Sequence, residues 1–220
     1  MHFQAFSEQV SAGGAVVGYR PDPAAVAGLF DYFTELRRRA AKVNLISKEM
    51  ADEELVDKHF VDSLALAGVL GDPAAALLDV GSGAGFPGLV CKLVEPRRPV
   101  RLMEPRLKRV SFLRQVIRSQ GLDDIDVLAC RLEPGAPVDG EAAYRWVVSR
   151  AVTSISDFLT RCSSFRRPDC RIVCMKGPRY KEELAAVATL PEPWHLEQRH
   201  EYRLPVSGAE RVLLVFRTAQ

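Results

Sequence analysis

Two hydrophobic periodicities divide the chain. In residues 23–39, Val26, Leu29, Phe30, Phe33 and Leu36 recur at spacings of three and four, which puts them on one stripe of an amphipathic helix. Residues 53–70 carry a second such pattern. From about residue 74 the pattern changes to short apolar runs alternating with helix-like segments. Residues 76–80, 100–103, 125–129, 144–149 and 171–175 read as strands; 87–94, 105–120, 154–165 and 181–190 read as helices. Residues 194–204 and 211–216, on either side of Pro-Val-Ser-Gly-Ala-Glu, predict a closing antiparallel pair. This alternation implies an α/β fold whose mostly parallel sheet is covered on both faces and binds ligands at the carboxyl ends of its strands. The expected organisation is an N-terminal helical extension over 1–73, acting as a cap or lid, followed by an α/β domain over 74–220.

The first strand runs into Asp79-Val80-Gly81-Ser82-Gly83-Ala84-Gly85-Phe86-Pro87-Gly88, a glycine turn at a strand-to-helix junction. Gly81, Gly83 and Gly85 let the backbone approach a ligand or take positive φ, and Pro87 suits the first helical position, where its missing N–H costs nothing. A dinucleotide fingerprint needs glycine at the sixth position, but counting from Gly81 that place holds the bulky Phe86. No Gly-Lys-Ser/Thr follows, which excludes a P-loop. The remaining pattern, acidic-x-Gly-x-Gly-x-Gly, is that of S-adenosylmethionine (AdoMet) enzymes, in which Asp79 would attract the cofactor's ammonium directly or through water. A tight turn without a ligand is the plain alternative.

The carboxyl-end rule gives the residues after the other strands candidate tasks. Glu104 follows the second strand and is placed to accept hydrogen bonds from a ribose diol; a helix cap is its alternative. Cys130-Arg131-Leu132-Glu133 follows the third and would bracket an adenine, or form a plain loop. Ser149-Arg150-Ala151 and Lys176-Gly177-Pro178 follow the fourth and fifth and face the place where a second substrate enters. In the second helix of the extension, His59, Asp62 and Ser63 share one face, an arrangement that is usually structural, with catalysis as the alternative.

Composition narrows the class. Hydrophobic residues at 47% and charged residues at 26% are ordinary for a globular protein, and no apolar run approaches a membrane span. The amino terminus lacks signal-peptide features, so a cytoplasmic location is expected. Cys91, Cys130, Cys162, Cys170 and Cys174 are odd in number, lie in or beside apolar runs and lack Cys-x-x-Cys spacing, which predicts buried free thiols rather than disulfides or a metal site. Net charge is only +2, yet residues 97–118 hold seven arginines and one lysine against a single acid, Glu104. With Leu107, Val110, Leu113 and Ile117 forming the apolar face of the helix within this stretch, Arg106, Lys108, Arg109 and Arg118 fall mostly outside it. They form either a solvated face or a phosphate-binding surface.

Together these blocks resemble the RsmG (GidB) family of small-subunit ribosomal RNA guanine-N7 methyltransferases. The resemblance runs from about Tyr32 to Phe216 and rests on Val43-Asn44-Leu45-Ile46-Ser47, His59-Phe60-Val61-Asp62-Ser63, the turn ending Gly-Phe-Pro-Gly, Lys108-Arg109-Val110-Ser111-Phe112-Leu113, Arg131-Leu132-Glu133, Ser149-Arg150-Ala151, Lys176-Gly177 and Arg211-Val212-Leu213-Leu214-Val215. It implies a class I AdoMet-dependent methyltransferase: a Rossmann-like, mostly parallel seven-stranded sheet with a C-terminal antiparallel hairpin and an N-terminal helical extension. It implies AdoMet contacts at Gly81, Phe86, Leu132, Glu133 and Arg150, with Glu104 at the ribose. Residues 39–43 lack the aromatic residues that often precede the family's Asn-Leu-Thr block, and the first 20 residues match poorly.

Guanine N7 carries a lone pair and can attack a sulfonium methyl without first losing a proton, so no general base is needed. The chain accordingly has neither an Asn/Asp-Pro-Pro-aromatic segment after its fourth strand nor a Pro-Cys nucleophile. Arg150 and Lys176, with Arg131 and His59, are expected to hold the target nucleotide and its phosphates, while Asp79, Gly81, Gly83, Gly85 and Glu104 hold AdoMet. An arginine donating to guanine O6 would orient the base; one bonded to N7 would block it. The expected partner is 16S ribosomal RNA or an assembling small subunit, met by a monomer without a metal. Two rivals stand beside this reading: an AdoMet enzyme acting on a small molecule or protein, and a non-catalytic RNA-binding module. If Arg106, Lys108 and Arg109 track phosphates, RNA affinity falls steeply between low and moderate salt; a flat titration would remove the helix from the interface.

Overall fold

The computed structural model describes all residues except 44, 48, 141–142, 151–152, 190–193 and 219–220, and the backbone alone of 41–43 and 188–189. Asn44 and Ala151 of the motif blocks, and the end of the helix expected over 181–190, fall outside the described residues. Seven strands form one sheet: β1 (Ala76–Val80), β2 (Val100–Met103), β3 (Ile125–Leu128), β4 (Tyr144–Arg150), β5 (Arg171–Lys176), β6 (Trp194–Arg203) and β7 (Glu210–Thr218). Their order is β3-β2-β1-β4-β5-β7-β6. The first five strands are mutually parallel, and β7 runs antiparallel to both β5 and β6. Strand order reverses at β1, which has β2 on one side and β4 on the other, and this is where an open sheet of this kind leaves a crevice.

The central strands are apolar throughout because both faces are covered. Alternate residues serve different cores: Leu77, Leu102 and Val148 face one, while Leu78, Met103 and Val147 face the other. The second core lies under α7 (Ile155–Arg161), a 3₁₀ turn at Cys162–Phe165 and α8 (Tyr180–Ala185). The first is filled by α5 (Gly88–Val94), α6 (Leu107–Ser119) and the N-terminal helices together. Phe6 of α1 (Phe3–Val16), Leu29 of α2 (Pro23–Val43) and Leu89 of α5 belong to one continuous apolar cluster. The extension is thus a layer of the fold rather than a lid laid over it.

Three local features depart from the sequence expectations. Helix α1 carries little apolar pattern and two adjacent glycines, Gly13 and Gly14, which weaken helix propensity. Packing holds it instead, with Phe6 set against Phe30, Phe33 and Phe60 at ring separations of 5.2–5.5 Å. Second, the helix expected over 53–70 is interrupted: α3 (Asp52–Leu55) and α4 (Asp62–Ala67) flank a π-helical turn at Val56–Val61. Third, Leu107 is 74% exposed, so the buried face of α6 is made by Val110, Phe112, Leu113 and Val116. The basic stretch is likewise not one surface: Arg98 is fully buried, bound to Glu95 and to the carbonyl of Ala75. Cys91, Cys162, Cys170 and Cys174 are buried, but Cys130 is exposed.

The π-helical turn couples distant parts of the chain. The carboxylate of Asp57, itself inaccessible to solvent, accepts hydrogen bonds from the backbone N–H groups of Val206 and Ser207 (3.1 and 2.9 Å) and from Ser207 Oγ (2.6 Å). These fasten the loop between β6 and β7 to the extension. Asp57→Ala would leave two backbone N–H groups and the Ser207 hydroxyl without their acceptor and should lower unfolding free energy by roughly 1–3 kcal/mol in a urea titration; an unchanged midpoint would show the loop to be anchored elsewhere.

Candidate active site

The glycine turn leaves the carboxyl end of β1. Gly81, Gly83 and Gly85 have φ of 77°, 60° and 110°, a region that side chains rarely adopt. The N–H groups of Gly81 and Ser82 both donate to the carbonyl of Met103 at the end of β2, drawing the turn toward the next strand. Glu104 completes the link: Oε2 accepts from Gly83 N at 3.0 Å and Oε1 from Arg106 N at 2.8 Å, and Arg109 Nη1 lies 3.7 Å from Oε2. Asp79 lies beneath the turn and is fully buried. Its Oδ2 accepts from Gly88 N at 2.9 Å, while burial pushes its pKa up to about 6. Gly88 opens α5, one residue later than the start expected at Pro87. A Cβ there would come within 2.6 Å of Leu102 and 2.8 Å of Asp79, so only glycine lets the helix sit this close to the sheet.

A cleft of about 480 Å³ opens beside this turn. Gly81, Glu104, Arg131, Leu132 and Arg150, from the ends of four strands, share its lining. Arg106 and Arg109 line the β2 side, and Cys130 brings its exposed thiol. Phe158 and Arg161 of α7 close the opposite wall; sequence reasoning missed both because they read only as part of a helix. Arg161 Nη1 donates to the carbonyl of Leu132 at 3.0 Å and lies 3.4 Å from Glu133, which is exposed and outside the lining.

Arg150, at the end of β4, is held from three directions. Nη2 lies 2.7 Å from His59 Nδ1, and Nη1 donates to the Lys58 carbonyl at 3.0 Å and to Asp62 Oδ2 at 3.3 Å. The guanidinium also sits 5.4 Å from the ring centroid of Phe86. Asp62 is 2% exposed, and its other oxygen accepts from Tyr202 Oη at 2.8 Å with Arg211 Nε at 3.5 Å. A guanidinium has no acceptor, so the Nδ1 of His59 must present its lone pair and the ring proton resides on Nε2. Burial, followed by the charges of Arg150, Arg211 and Lys58, lowers the His59 pKa to about 3, so the ring is neutral throughout the physiological range.

The other predicted residues are distributed around this centre. Phe86 is buried under Arg150 and against His59 rather than in the lining, and Gly85 faces Tyr32 and Leu113. Lys176 bonds the Thr153 carbonyl and lies 2.8 Å from Glu183, whose Oε2 also accepts from Ile155 N at the start of α7. Arg106, Lys108 and Arg131 are exposed, and Arg109 is partly so. Among the described residues no group of three or more His, Cys, Asp or Glu is arranged to hold a metal, and no helix is long and apolar enough to cross a membrane.

A sheet of this order, with a glycine turn after β1 and a carboxylate after β2, defines a class I AdoMet-dependent methyltransferase. The fold is similar to that of a chain of the fibrillarin/Nop5p complex (TM-score 0.54, 12% identity, 80% of this chain and 90% of that one). It is also similar to geranyl diphosphate methyltransferase solved with geranyl diphosphate and sinefungin (TM-score 0.53, 16% identity, 71% and 76%). At the level of sequence, the profile of the GidB family, rRNA small subunit methyltransferase G, matches residues 26–214. Ribosomal RNA small subunit methyltransferase G of Desulfotalea psychrophila is 40% identical over 96% of this chain and 98% of its own length, and that of Myxococcus xanthus is 38% identical over 96% of each. The chain belongs to this methyltransferase G family, and it is an enzyme whose methyl donor is AdoMet.

Because unfolded histidine takes a proton near 6.5 and half-buried His59 takes one only near 3, the unfolded state binds more protons across this window. The contribution of His59 to stability is therefore complete above pH 6.5 and is lost as pH falls toward 3. Denaturant titrations should give a shallower decline in stability between pH 7 and 5 for His59→Gln than for the wild type. Parallel curves would mean that His59 titrates normally.

Proposed function

We propose that this enzyme methylates N7 of a guanine in 16S ribosomal RNA, using the cleft between the glycine turn and Arg150 to hold AdoMet. The observation that carries the reading is the convergence of Gly81, Glu104, Leu132 and Arg150 on one cleft in a chain of this family. The donor set suits the cofactor. Glu104 is an acceptor for a ribose diol, and the Arg131-Leu132 segment offers a wall for an adenine. Asp79 Oδ1 and Ser149 Oγ are buried without a hydrogen-bond partner among the described residues, but neither residue lines the cleft. Bound AdoMet supplies an electrophilic methyl group on a sulfonium.

The protein's part is positional. Guanine N7 needs no deprotonation, and the groups present match that economy: His59 is neutral with Nδ1 committed to Arg150, and Asp79 is sealed beneath the turn. Orientation of nucleophile and methyl can supply roughly 7–11 kcal/mol of the barrier. In this reading Arg150, held by Lys58, Asp62 and His59, donates to guanine O6 and leaves N7 free to attack the methyl group. Arg106, Lys108, Arg109 and Arg131 hold phosphates at the rim, while Lys176 braces the corner between β5 and α7 where the nucleotide enters. An A-form major groove is too deep and narrow for this cleft to reach N7, so the target guanine is unpaired or flipped out.

Incubation with AdoMet and small subunits lacking the modification, followed by nucleoside mass spectrometry, should yield 7-methylguanosine in 16S rRNA; modification of another base or none would refute the reading. In the same assay Arg150→Ala should reduce kcat by about 10²–10³-fold. Its thermal unfolding should stay cooperative, since Tyr202 and Arg211 still serve Asp62. Full activity would remove Arg150 from the mechanism.

A further inference from the structure

The carboxyl edge of the sheet holds a second hollow, of about 450 Å³, which shares no lining residue with the first. Gly177 after β5, Lys181 of α8, Tyr202 and Arg203 of β6, and Arg211 of β7 contribute to its wall. In the strand order β7 stands two places from β4, a separation of roughly 10 Å. A group in this hollow is therefore displaced from the methyl-transfer cleft by the order of one step along an extended nucleic-acid strand. The carboxylate of Asp62 spans the gap, with Oδ2 on Arg150 of the cleft and Oδ1 on Arg211 of the hollow.

Lys181, Arg203 and Arg211 face Glu201 and Glu210 in this wall, a small cationic excess. Its two acids are engaged within the protein: Glu201 accepts the hydroxyl of Tyr180, and Glu210 pairs with Arg203 at 2.6 Å. Lys181 is exposed, with Nζ 6.0 Å from the ring centroid of Tyr180. Arg211 Nη1 donates to the Glu210 carbonyl at 3.0 Å and Nε lies 3.5 Å from Asp62 Oδ1, contacts that hold the guanidinium in the wall of the hollow beside Gly177. Two cations beside an aromatic ring match a nucleotide's phosphate and base, the combination by which proteins hold single strands.

We propose that this hollow binds the nucleotide adjoining the methylated guanine, with its phosphodiester held by Lys181 and Arg211 and its base against Tyr202. The acceptor strand then crosses the sheet edge from cleft to hollow. The inference rests on the reading of the enzyme as an RNA methyltransferase and assigns it a subsite for unpaired RNA.

Lys181→Glu separates the two ideas, because this exposed side chain has no part in the cleft. The probe is a fluorescent single-stranded RNA of the substrate's sequence around the modified guanine, titrated in the presence of S-adenosylhomocysteine, alongside methylation of small subunits. For Lys181→Glu the RNA should bind about tenfold more weakly, and the slope of log affinity against log salt should become shallower by about 0.7, the share of one phosphate on a single strand. KM for small subunits should rise with kcat and S-adenosylhomocysteine affinity unchanged, and Lys181→Arg should restore binding. Unaltered RNA affinity and salt slope in a variant of an active enzyme would overturn the subsite, as would a fall in kcat at constant KM. If the wild type methylates no rRNA yet the oligonucleotide shows the Lys181-dependent slope, the subsite stands and the methylation reading falls.

Discussion

A carboxylate that is 2% exposed persists in a protein only where its charge is met, and Asp62 is met by two arginines and a tyrosine hydroxyl. Those partners come from β4, β6 and β7, and Asp62 itself opens a helix of the N-terminal extension. One buried anion thus ties the extension to the edge of the sheet where ligands bind. Because Arg150 is held through Asp62 by elements outside its own strand, its position is a property of the whole fold rather than of its own loop. The stacking of Arg150 on Phe86 extends that dependence to the glycine turn.

The electrostatic design follows from this constraint. Around Arg150 the neighbours are acceptors: a backbone carbonyl, an unprotonated imidazole nitrogen and a carboxylate oxygen. With those contacts on the protein side, the guanidinium is oriented before any ligand arrives, and little reorganisation is left for the moment of reaction. The buried acid beneath the turn has a different task. By receiving the Gly88 N–H, Asp79 fixes the first turn of α5 against β1, and the missing Cβ at Gly88 makes that approach feasible.

Much of the sheet was legible in the sequence because buried parallel strands are nearly uniform apolar runs; the predicted and observed bounds of β1 and β2 coincide, and those of β3, β4 and β5 differ by a single residue. The glycine turn, Glu104 and Arg150 were legible because topology places strand ends together. What escaped depends on partners far away in the chain. Nothing local in Val56–Val61 announces a π-helical turn, and its partners, Arg150 and the loop before β7, lie far along the chain. Leu107 has the spacing of a core residue, but it sits at the first position of α6, before the helix has turned onto the sheet. Arg98 looked like surface charge because its acceptors, the carbonyls of Gly71 and Ala75, are backbone atoms that no side-chain pattern reveals. Asp62 was visible as a residue sharing a face with His59; its role was not, because Tyr202 is 140 residues away.

The contact between Asp57 and Ser207 joins positions separated by 150 residues. During synthesis the early helices emerge long before the hairpin that receives them, so the carboxylate of Asp57 in the π-helical turn must wait, solvated, until almost the entire chain has left the ribosome. Such late, long-range closure means that a truncated nascent product would lack the closing strand and the two partners, Tyr202 and Arg211, that complete the surroundings of Asp62.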